Sequence, residues 1–177
     1  RAVQNHSWIG ITYAYAAEAD QRLDFAIDRD GFVCVVGENN GAGEPLPELL
    51  GQSYHTISVG LANGNHSAGF TTFDGSGRIK PDIIAPESYT SFATPMVSSA
   101  AALLYSKLAA APYSLTGADK PRVIKALLMA SATKDTVASW TNTAARPLDL
   151  RYGAGELNVN HAYNDLRAGR ATATSSA

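Results

Sequence analysis

The chain has 177 residues, of which 45% are hydrophobic and 17% charged, so it can form one globular domain with a buried core and lacks the composition of a disordered protein. Sixteen acidic and fourteen basic residues give a formal charge of −2, and no dense Lys/Arg stripe marks a nucleic-acid partner. No apolar run reaches the ~20 residues of a membrane span, and the first ten residues lack the charged-then-apolar pattern of a signal peptide.

The first elements alternate between strands and a helix. AVQNHSWIG predicts a short strand that runs into a glycine loop, and YAAEADQRLDFAIDRDG predicts a helix that ends at Gly31. The apolar run FVCVV, bounded by glycines, is typical of a strand buried on both faces of a parallel sheet. It contains the single cysteine, Cys34, which we expect to be a buried thiol and which leaves the cellular compartment open.

The same alternation continues to the end of the chain. HTISVGLA predicts a strand, GNHSAG a turn and FTTFDGSGRIKPDIIAPE a pair of strands, followed by a charge-poor helix that we expect to run through the core. A second helix has Pro121 in its first turn, and a third follows Asn158 or Asn160. We expect a disordered tail over residues 171–177. The pattern predicts an α/β fold with a parallel sheet.

Ser91, in the stretch YTSFATPMV, lies where the charge-poor helix begins. The simplest interpretation is that Thr90 or Ser91 caps this helix, since Ser and Thr are common caps. A serine at a helix start also lies near unpaired backbone N–H groups and the positive end of the dipole, which favours an oxyanion. Pro95, expected in or near the first turn, fixes the helix start and leaves the serine at its end.

Residues TSFATPMVSSAAALL resemble the active-serine segment of the subtilisin-like serine proteases, which has the motif G-T-S-x-A-x-P followed by a helix of small residues. The resemblance continues in family order over VQNHSWIG, DRDGFVCVVGENNG, TISVGLANGNHSAGFTTF, KPDIIAPE, KPRVIKALLMASA and YGAGELNVNHAY. It covers nearly the whole chain. It implies the subtilisin-like three-layer α/β fold with a mainly parallel central sheet.

The resemblance implies a catalytic role for three residues. Ser91 would be the nucleophile that forms an acyl-enzyme with a peptide carbonyl. Asn39 would donate its side-chain amide to the oxyanion together with the Ser91 backbone N–H, and Thr90 would add a hydroxyl to the same network. Asn40, one position further, stays an alternative to Asn39.

Six further residues would contact the substrate. Ser7, Trp8 and Ile9 would flank the substrate. Val36, Gly37 and Glu38 would form a wall of the primary specificity pocket. We expect Glu38 to be exposed to solvent, because glutamate is rarely buried. If it points inward, it would favour a basic or polar substrate side chain.

The chain departs from the family pattern near the serine. Tyr89 replaces the glycine before Thr-Ser, which restricts the backbone where glycine would be permissive. Met96 replaces a histidine that commonly follows the motif proline, and the loop between KPDIIAPE and YTS is short. One wall of the substrate cleft would therefore be rebuilt or open.

The acid and the base of the family's catalytic triad precede the serine, and both come before the strand that VQNHSWIG resembles. We therefore expect residues 1–170 to be the C-terminal half of a catalytic domain, inactive alone and aggregation-prone without the N-terminal half as its partner. None of the four histidines has a local spacing that would make it the base; they are His6, His55, His66 and His161.

The resemblance also implies a peptide or protein substrate and favours an extracellular or periplasmic location. It allows calcium without indicating ligands, and no cofactor or metal-ligand motif is present. GENNGAG lacks the residues of a P-loop, and GNHSAG is not the G-x-S-x-G motif of α/β-hydrolases. The alternative is a subtilisin-like fold that has lost catalysis and serves as a peptide-binding or structural module.

Overall fold

The computed structural model describes residues 2–10, 14–73, 77–110, 112–117, 119–137 and 139–173. Within these ranges the elements, in chain order, are β1 (Val3–His6), α1 (Ala16–Asp30), β2 (Val33–Gly37), β3 (Ile57–Leu61), β4 (Gly69–Phe70), β5 (Ile79–Lys80), β6 (Ile83–Ala85), α2 (Thr90–Ala109), α3 (Asp119–Ala130) and α4 (Val159–Ala173).

Four of the strands form a parallel sheet in the order β1-β2-β3-β6. Every residue of β2, β3 and β6 is buried, as expected for a parallel sheet that is covered on both faces. The predicted α/β fold and the doubly buried FVCVV strand are confirmed. The predicted strand pair is β4 and β5, which form a separate antiparallel hairpin.

Alternate residues of the central strands pack into two cores on opposite faces of the sheet. Val35 and Val59 join Val97 of α2 in the larger core, and Cys34 packs with Ile27 of α1 in the smaller one. Cys34 is a buried free thiol, as predicted, and burial raises its pKa to about 12. It is therefore protonated at neutral pH.

Helix α2 is buried on one side only, which differs from the prediction of a helix that runs through the core. Val97 and Leu104 face the sheet, whereas Phe92, Met96 and Leu103 are exposed. These three residues are spaced by four and seven positions, so they share one face of the helix. The low charge of α2 therefore reflects an apolar face that no described residue covers.

The adjacent residues Leu103 and Leu104 provide a matched test of this orientation. Leu104 is 2% exposed and Leu103 is 65% exposed. We expect Leu104→Ala to lower the free energy of unfolding by about 2–5 kcal/mol, because it leaves a cavity in the larger core. Leu103→Ala should change it by less than about 0.5 kcal/mol. Urea denaturation of the isolated 177-residue chain, in which no other segment covers Leu103, measures both, and equal losses would contradict the orientation.

The helix ends follow the sequence signals. Gly31 ends α1 in the left-handed conformation, with φ of 67°, and its N–H bonds the carbonyl of Ile27. The side chain of Asn158 accepts the N–H of His161 in the first turn of α4, so Asn158 caps this helix. The tail predicted over 171–177 begins within α4, and residues 174–177 lie outside the described ranges.

Candidate functional site

Ser91 is the second residue of α2, which begins five residues after β6 ends at the carboxyl edge of the sheet. Tyr89 precedes the helix with φ of −136° and ψ of 144°, an extended conformation that any side chain can adopt. Tyrosine in place of glycine therefore causes no backbone strain. Its ring packs edge-on against Phe92, with centroids 5.8 Å apart.

The hydroxyls at this helix start do not cap it, so the simplest interpretation of the sequence is wrong. Tyr89 occupies the N-cap position and makes no side-chain cap hydrogen bond. The Thr90 hydroxyl donates instead to the carbonyl of Glu38, at 2.6 Å. Ser91 is half-buried, and its hydroxyl has no hydrogen-bond partner among the described residues. It is therefore available for another use.

The backbone N–H groups of the first turn are only partly satisfied. The Thr90 N–H donates to the side-chain oxygen of Asn40 at 2.9 Å, and the N–H groups of Phe92 and Ala93 both bond the Tyr89 carbonyl. Within the described part of the chain, the Ser91 N–H has no partner. A free N–H and a free hydroxyl thus lie together at the positive end of a 20-residue helix.

Pro95 is the sixth residue of α2, near the first turn as predicted. Proline has no N–H to donate to the carbonyl four residues earlier, so Ser91 also lacks the usual helical partner for its carbonyl.

The two asparagines after β2 have different surroundings. The side-chain amide of Asn39 donates to the carbonyl of Pro45 at 3.1 Å, away from the helix. The side-chain oxygen of Asn40 accepts the N–H of Thr90 at 2.9 Å and lies 3.2 Å from the Thr90 hydroxyl oxygen, whose proton goes to Glu38. Its amide nitrogen has no partner among the described residues and lies next to the start of α2. The structure thus brings Asn40 close to Ser91 and turns the Asn39 side chain toward another loop.

The loop that carries both asparagines is held by the turn at residues 65–67. Asn39 accepts the N–H of Ser67 at 2.9 Å and donates its own N–H to the Ser67 hydroxyl at 3.0 Å. His66 is buried between Leu61, whose N–H it accepts at 3.0 Å, and the carbonyl of Arg151 at 2.7 Å. Burial lowers the pKa of His66 to about 4, so it stays neutral. Its role is structural.

Arg151 is a site-supporting residue that the sequence did not indicate. Its guanidinium donates to the carbonyls of Gly64 and His66 in the supporting turn and to that of Ala42 in the asparagine loop. These partners are 85 to 109 residues away along the chain. No local spacing could therefore reveal the contact.

Glu38 is fully buried, so the expectation of solvent exposure is wrong. It follows the last residue of β2, and the 65–67 turn covers it; the Ser67 hydroxyl donates to one carboxyl oxygen at 3.3 Å. The other oxygen, Oε1, has no partner among the described residues. Burial raises the pKa of Glu38 to about 8, against a smaller lowering by Lys80. The side chain is therefore mostly protonated at neutral pH.

This buried carboxyl predicts a pH dependence of stability. The unfolded chain loses the Glu38 proton near pH 4.5, whereas the folded protein keeps it up to about pH 8. Stability should therefore fall between these pH values and level off above them. Glu38→Gln keeps the shape of the side chain but cannot ionise. As the pH rises from 4.5 to about 8, the unfolding free energy of the variant should therefore increase relative to that of the parent. A pH-independent difference in urea denaturation would contradict the prediction.

The predicted substrate-contacting residues fall into two groups. Ser7, Trp8 and Ile9 follow β1 at the open edge of the sheet, and Trp8 is 51% exposed. Ile9 and Asn39 line a groove of about 320 Å³ together with the 45–48 loop. Ile9, one of the residues predicted to flank the substrate, and Asn39 of the asparagine loop thus line the same groove.

The predicted pocket wall contributes no side chain to this groove. Val36 packs in the smaller core, and Glu38 is buried as described. Gly37 lies against α2, where an added Cβ would be 2.8 Å from the Thr94 hydroxyl oxygen. These residues form the support behind the asparagine loop.

None of the described histidines contacts Ser91. The His6 ring accepts the indole N–H of Trp8 at 3.1 Å, and its other nitrogen lies 3.3 Å from the amide oxygen of Gln4. Burial lowers its pKa. Neither of the remaining two, His55 and His161, has a recorded bond to this site. The described residues therefore supply no base for the serine.

Metal and membrane features are also absent from the described ranges. No group of three or more His, Cys, Asp or Glu side chains is arranged there to hold a metal ion, so no calcium ligand is assigned. No described helix combines the length and the apolar character needed to cross a membrane.

Comparisons with known proteins agree on one relationship. The sequence model of the subtilase family matches residues 1–155. No curated protein sequence matches the chain. Two similar solved structures are fervidolysin from Fervidobacterium pennivorans, described as a keratinolytic enzyme related to subtilisin, and tripeptidyl peptidase 2.

Both structural similarities extend over nearly all of this chain. The fervidolysin match has a TM-score of 0.58 and 21% identity, and covers 92% of this chain and 26% of fervidolysin. The match to tripeptidyl peptidase 2 has a TM-score of 0.55 and 17% identity, and covers 94% and 14%. The chain thus spans about a quarter or less of the length of these proteins, and at such identities the likeness establishes the fold.

Proposed function

Because the chain belongs to the subtilase family, we propose that it carries the nucleophile and oxyanion-binding part of a serine endopeptidase. The substrate would be a peptide or protein, cut through an acyl-enzyme on Ser91. The observation that carries the proposal is the start of α2, where the Ser91 hydroxyl and N–H are both unpartnered among the described residues. The Asn40 amide lies beside them.

The proposed chemistry begins with attack of the Ser91 hydroxyl oxygen on the substrate carbonyl carbon, while a base takes the hydroxyl proton. Negative charge then develops on the carbonyl oxygen. The Ser91 N–H and the Asn40 side-chain amide would donate hydrogen bonds to it, in the field of the α2 dipole. Collapse of this intermediate releases the amine, and water later hydrolyses the acyl-enzyme.

Thr90 and Asn39, which flank the proposed oxyanion site, are not proposed to donate to the oxyanion. Thr90 donates its hydroxyl to the Glu38 carbonyl and its N–H to Asn40, so it joins the helix start to the asparagine loop. Asn39, the donor first favoured by the sequence, is replaced in our proposal by Asn40. The reason is that the Asn39 amide already donates to Pro45.

We further propose that the acid and the base come from a segment N-terminal to Arg1, the other half of the same catalytic domain. Three observations support this partner. The described histidines do not contact Ser91, β1 is an edge strand with no described strand on its outer side, and α2 exposes the apolar residues Phe92, Met96 and Leu103. A strand and a helix from the missing half would cover both surfaces.

The groove beside Asn39 is the proposed place for substrate side chains. Ile9, Leu46 and two prolines line it together with Glu48, so it suits an apolar substrate side chain better than an anionic one, and the exposed Trp8 extends the same surface. As in the sequence-based expectation, an extracellular or periplasmic location fits a peptidase of this family.

A fluorophosphonate probe tests the proposal on the full-length protein that carries this chain. The expected result is covalent labelling, with mass spectrometry placing the adduct on Ser91 and with no adduct in Ser91→Ala. A folded full-length protein that stays unlabelled would overturn the enzyme proposal and favour the non-catalytic peptide-binding module.

A further inference from the structure

A second cavity, of about 520 Å³, lies away from Ser91. It is formed by the β4–β5 hairpin, α3 and residues 145–148, and it borders Asp82, the residue directly before β6. Asp82 lies before β6 and α2 follows it, so the cavity lies at the amino end of this strand and Ser91 beyond its carboxyl end. Its volume is that of a typical small-molecule site.

Positive charge dominates the lining. Lys80 and Lys125 share one carboxylate, that of Asp82, with nitrogen–oxygen distances of 2.9 and 3.0 Å. Arg78 and Arg146 also line the cavity, and neither forms an ion pair with a described carboxylate. The lining itself carries four cationic groups and one carboxylate, and the buried Asp20 carboxylate, which interacts with Lys80 and Arg78, offsets part of this positive charge.

Arg78 is held in place but not fully hydrogen-bonded. Its guanidinium lies 3.5 Å from the centroid of the Tyr54 ring, and one terminal nitrogen donates to the Gln52 carbonyl at 2.7 Å. The Nε atom is buried and has no partner among the described residues. This N–H is out of reach of a ligand, whereas the second terminal nitrogen of Arg78 makes no hydrogen bond to a described residue and is the donor left for an oxyanion in the cavity.

Arg146 lines the same cavity from the 145–148 segment. Its two terminal nitrogens make only long contacts, 3.3 Å to the Leu148 carbonyl and 3.4 Å to the Thr141 hydroxyl. Guanidinium groups bind carboxylates and phosphates through paired donors at shorter distances. The present contacts leave that capacity largely unused.

The remaining lining is apolar and partly aromatic. Phe70 is 51% exposed and Tyr54 is 44% exposed, while Ile79, Pro147 and Leu148 complete the wall. Aromatic faces that remain exposed beside a cationic pocket match a ligand with a flat apolar body and an anionic group.

We propose that this cavity binds an organic oxyanion, a carboxylate or phosphate carried on a flat apolar body. The oxyanion lies between Arg78 and Arg146, and the apolar body packs against Phe70 and Tyr54. The proposal is independent of catalysis at Ser91, since no residue of that site lines the cavity.

Calorimetric titration of the full-length protein with 2-naphthoate, 2-naphthyl phosphate and the neutral 2-naphthamide tests this. We expect one saturable site with a Kd on the order of 1 mM or tighter for at least one anion, and about tenfold weaker binding of the amide. The tighter of the two anions identifies the headgroup. Binding should be unchanged in Ser91→Ala, which separates this cavity from the proposed active site.

Two substitutions and one control localise the binding. Arg78→Gln and Arg146→Gln should each weaken binding of the anion about tenfold. If Arg78→Gln fails to fold, Arg146→Gln alone tests the proposal. Arg167→Gln, an equal charge loss on the exposed face of α4, should leave it unchanged. Absence of saturable binding, equal binding of the amide, or equal effects of all three substitutions would overturn the proposal.

Discussion

Replacing Ser91 with alanine is expected to abolish peptide-bond hydrolysis by the full-length protein, with a loss in kcat on the order of 10⁶. We carry this magnitude over from subtilisin, the namesake of the family. The physical reason is that no acyl-enzyme can form without the hydroxyl oxygen. The remaining N–H and amide donors would still bind the substrate carbonyl, so KM should change far less than kcat.

Ser99 provides the matched control for this substitution. It lies on the same helix and is exposed, and its hydroxyl donates to the carbonyl of Pro95 at 2.8 Å. Ser99→Ala removes the same atom from α2 without touching the proposed site, so it should retain full activity. Hydrolysis of a fluorogenic peptide measures both variants. Retained activity in Ser91→Ala, or equal losses in the two, would exclude Ser91 as the nucleophile.

Features that depend on neighbouring residues were predictable from the sequence. The apolar run of β2, the glycine that ends α1 and the family resemblance are local patterns, and all are confirmed. The same motif placed Ser91 at the start of a helix.

Features that depend on distant contacts were not predictable. The choice between Asn39 and Asn40 depends on a hydrogen bond to Thr90, 50 residues later. The burial of Glu38 depends on a turn about 29 residues away, whose effect outweighs the general preference of glutamate for the surface. The cationic cavity likewise combines segments that no single stretch of sequence displays together.

The same physical contrast explains why the two proposed sites differ in kind. At Ser91 the proposed donors to the oxyanion are the backbone N–H of a helix start and the Asn40 side-chain amide, which are held by the fold and suit a charge that exists only briefly. In the second cavity they belong to long side chains, Arg78 and Arg146, which suit a stable anion. We thus propose two anion-binding arrangements at opposite ends of the strands of one sheet.

Asn40→Ala is expected to lower kcat by about 10² to 10³, with a smaller change in KM. This range too is that of subtilisin, where loss of one donor to the oxyanion has such an effect. In the present structure the Asn40 side-chain oxygen accepts the Thr90 N–H at 2.9 Å, which holds the carboxamide beside the first turn of α2 and leaves its NH2 group without a partner among the described residues. Such a donor strengthens its hydrogen bond as charge develops on the substrate carbonyl, so its loss affects the transition state more than substrate binding.

Asn39→Ala distinguishes the adjacent alternative. Its amide stabilises the loop through Pro45, so this variant should lose thermal stability while kcat falls less than tenfold. Single-turnover kinetics and melting of both variants separate the two effects. If the large loss in kcat occurs in Asn39→Ala and not in Asn40→Ala, the hydrogen bond to Thr90 serves only to hold the helix start. The loop would then have to rearrange on substrate binding to bring the Asn39 amide to the oxyanion.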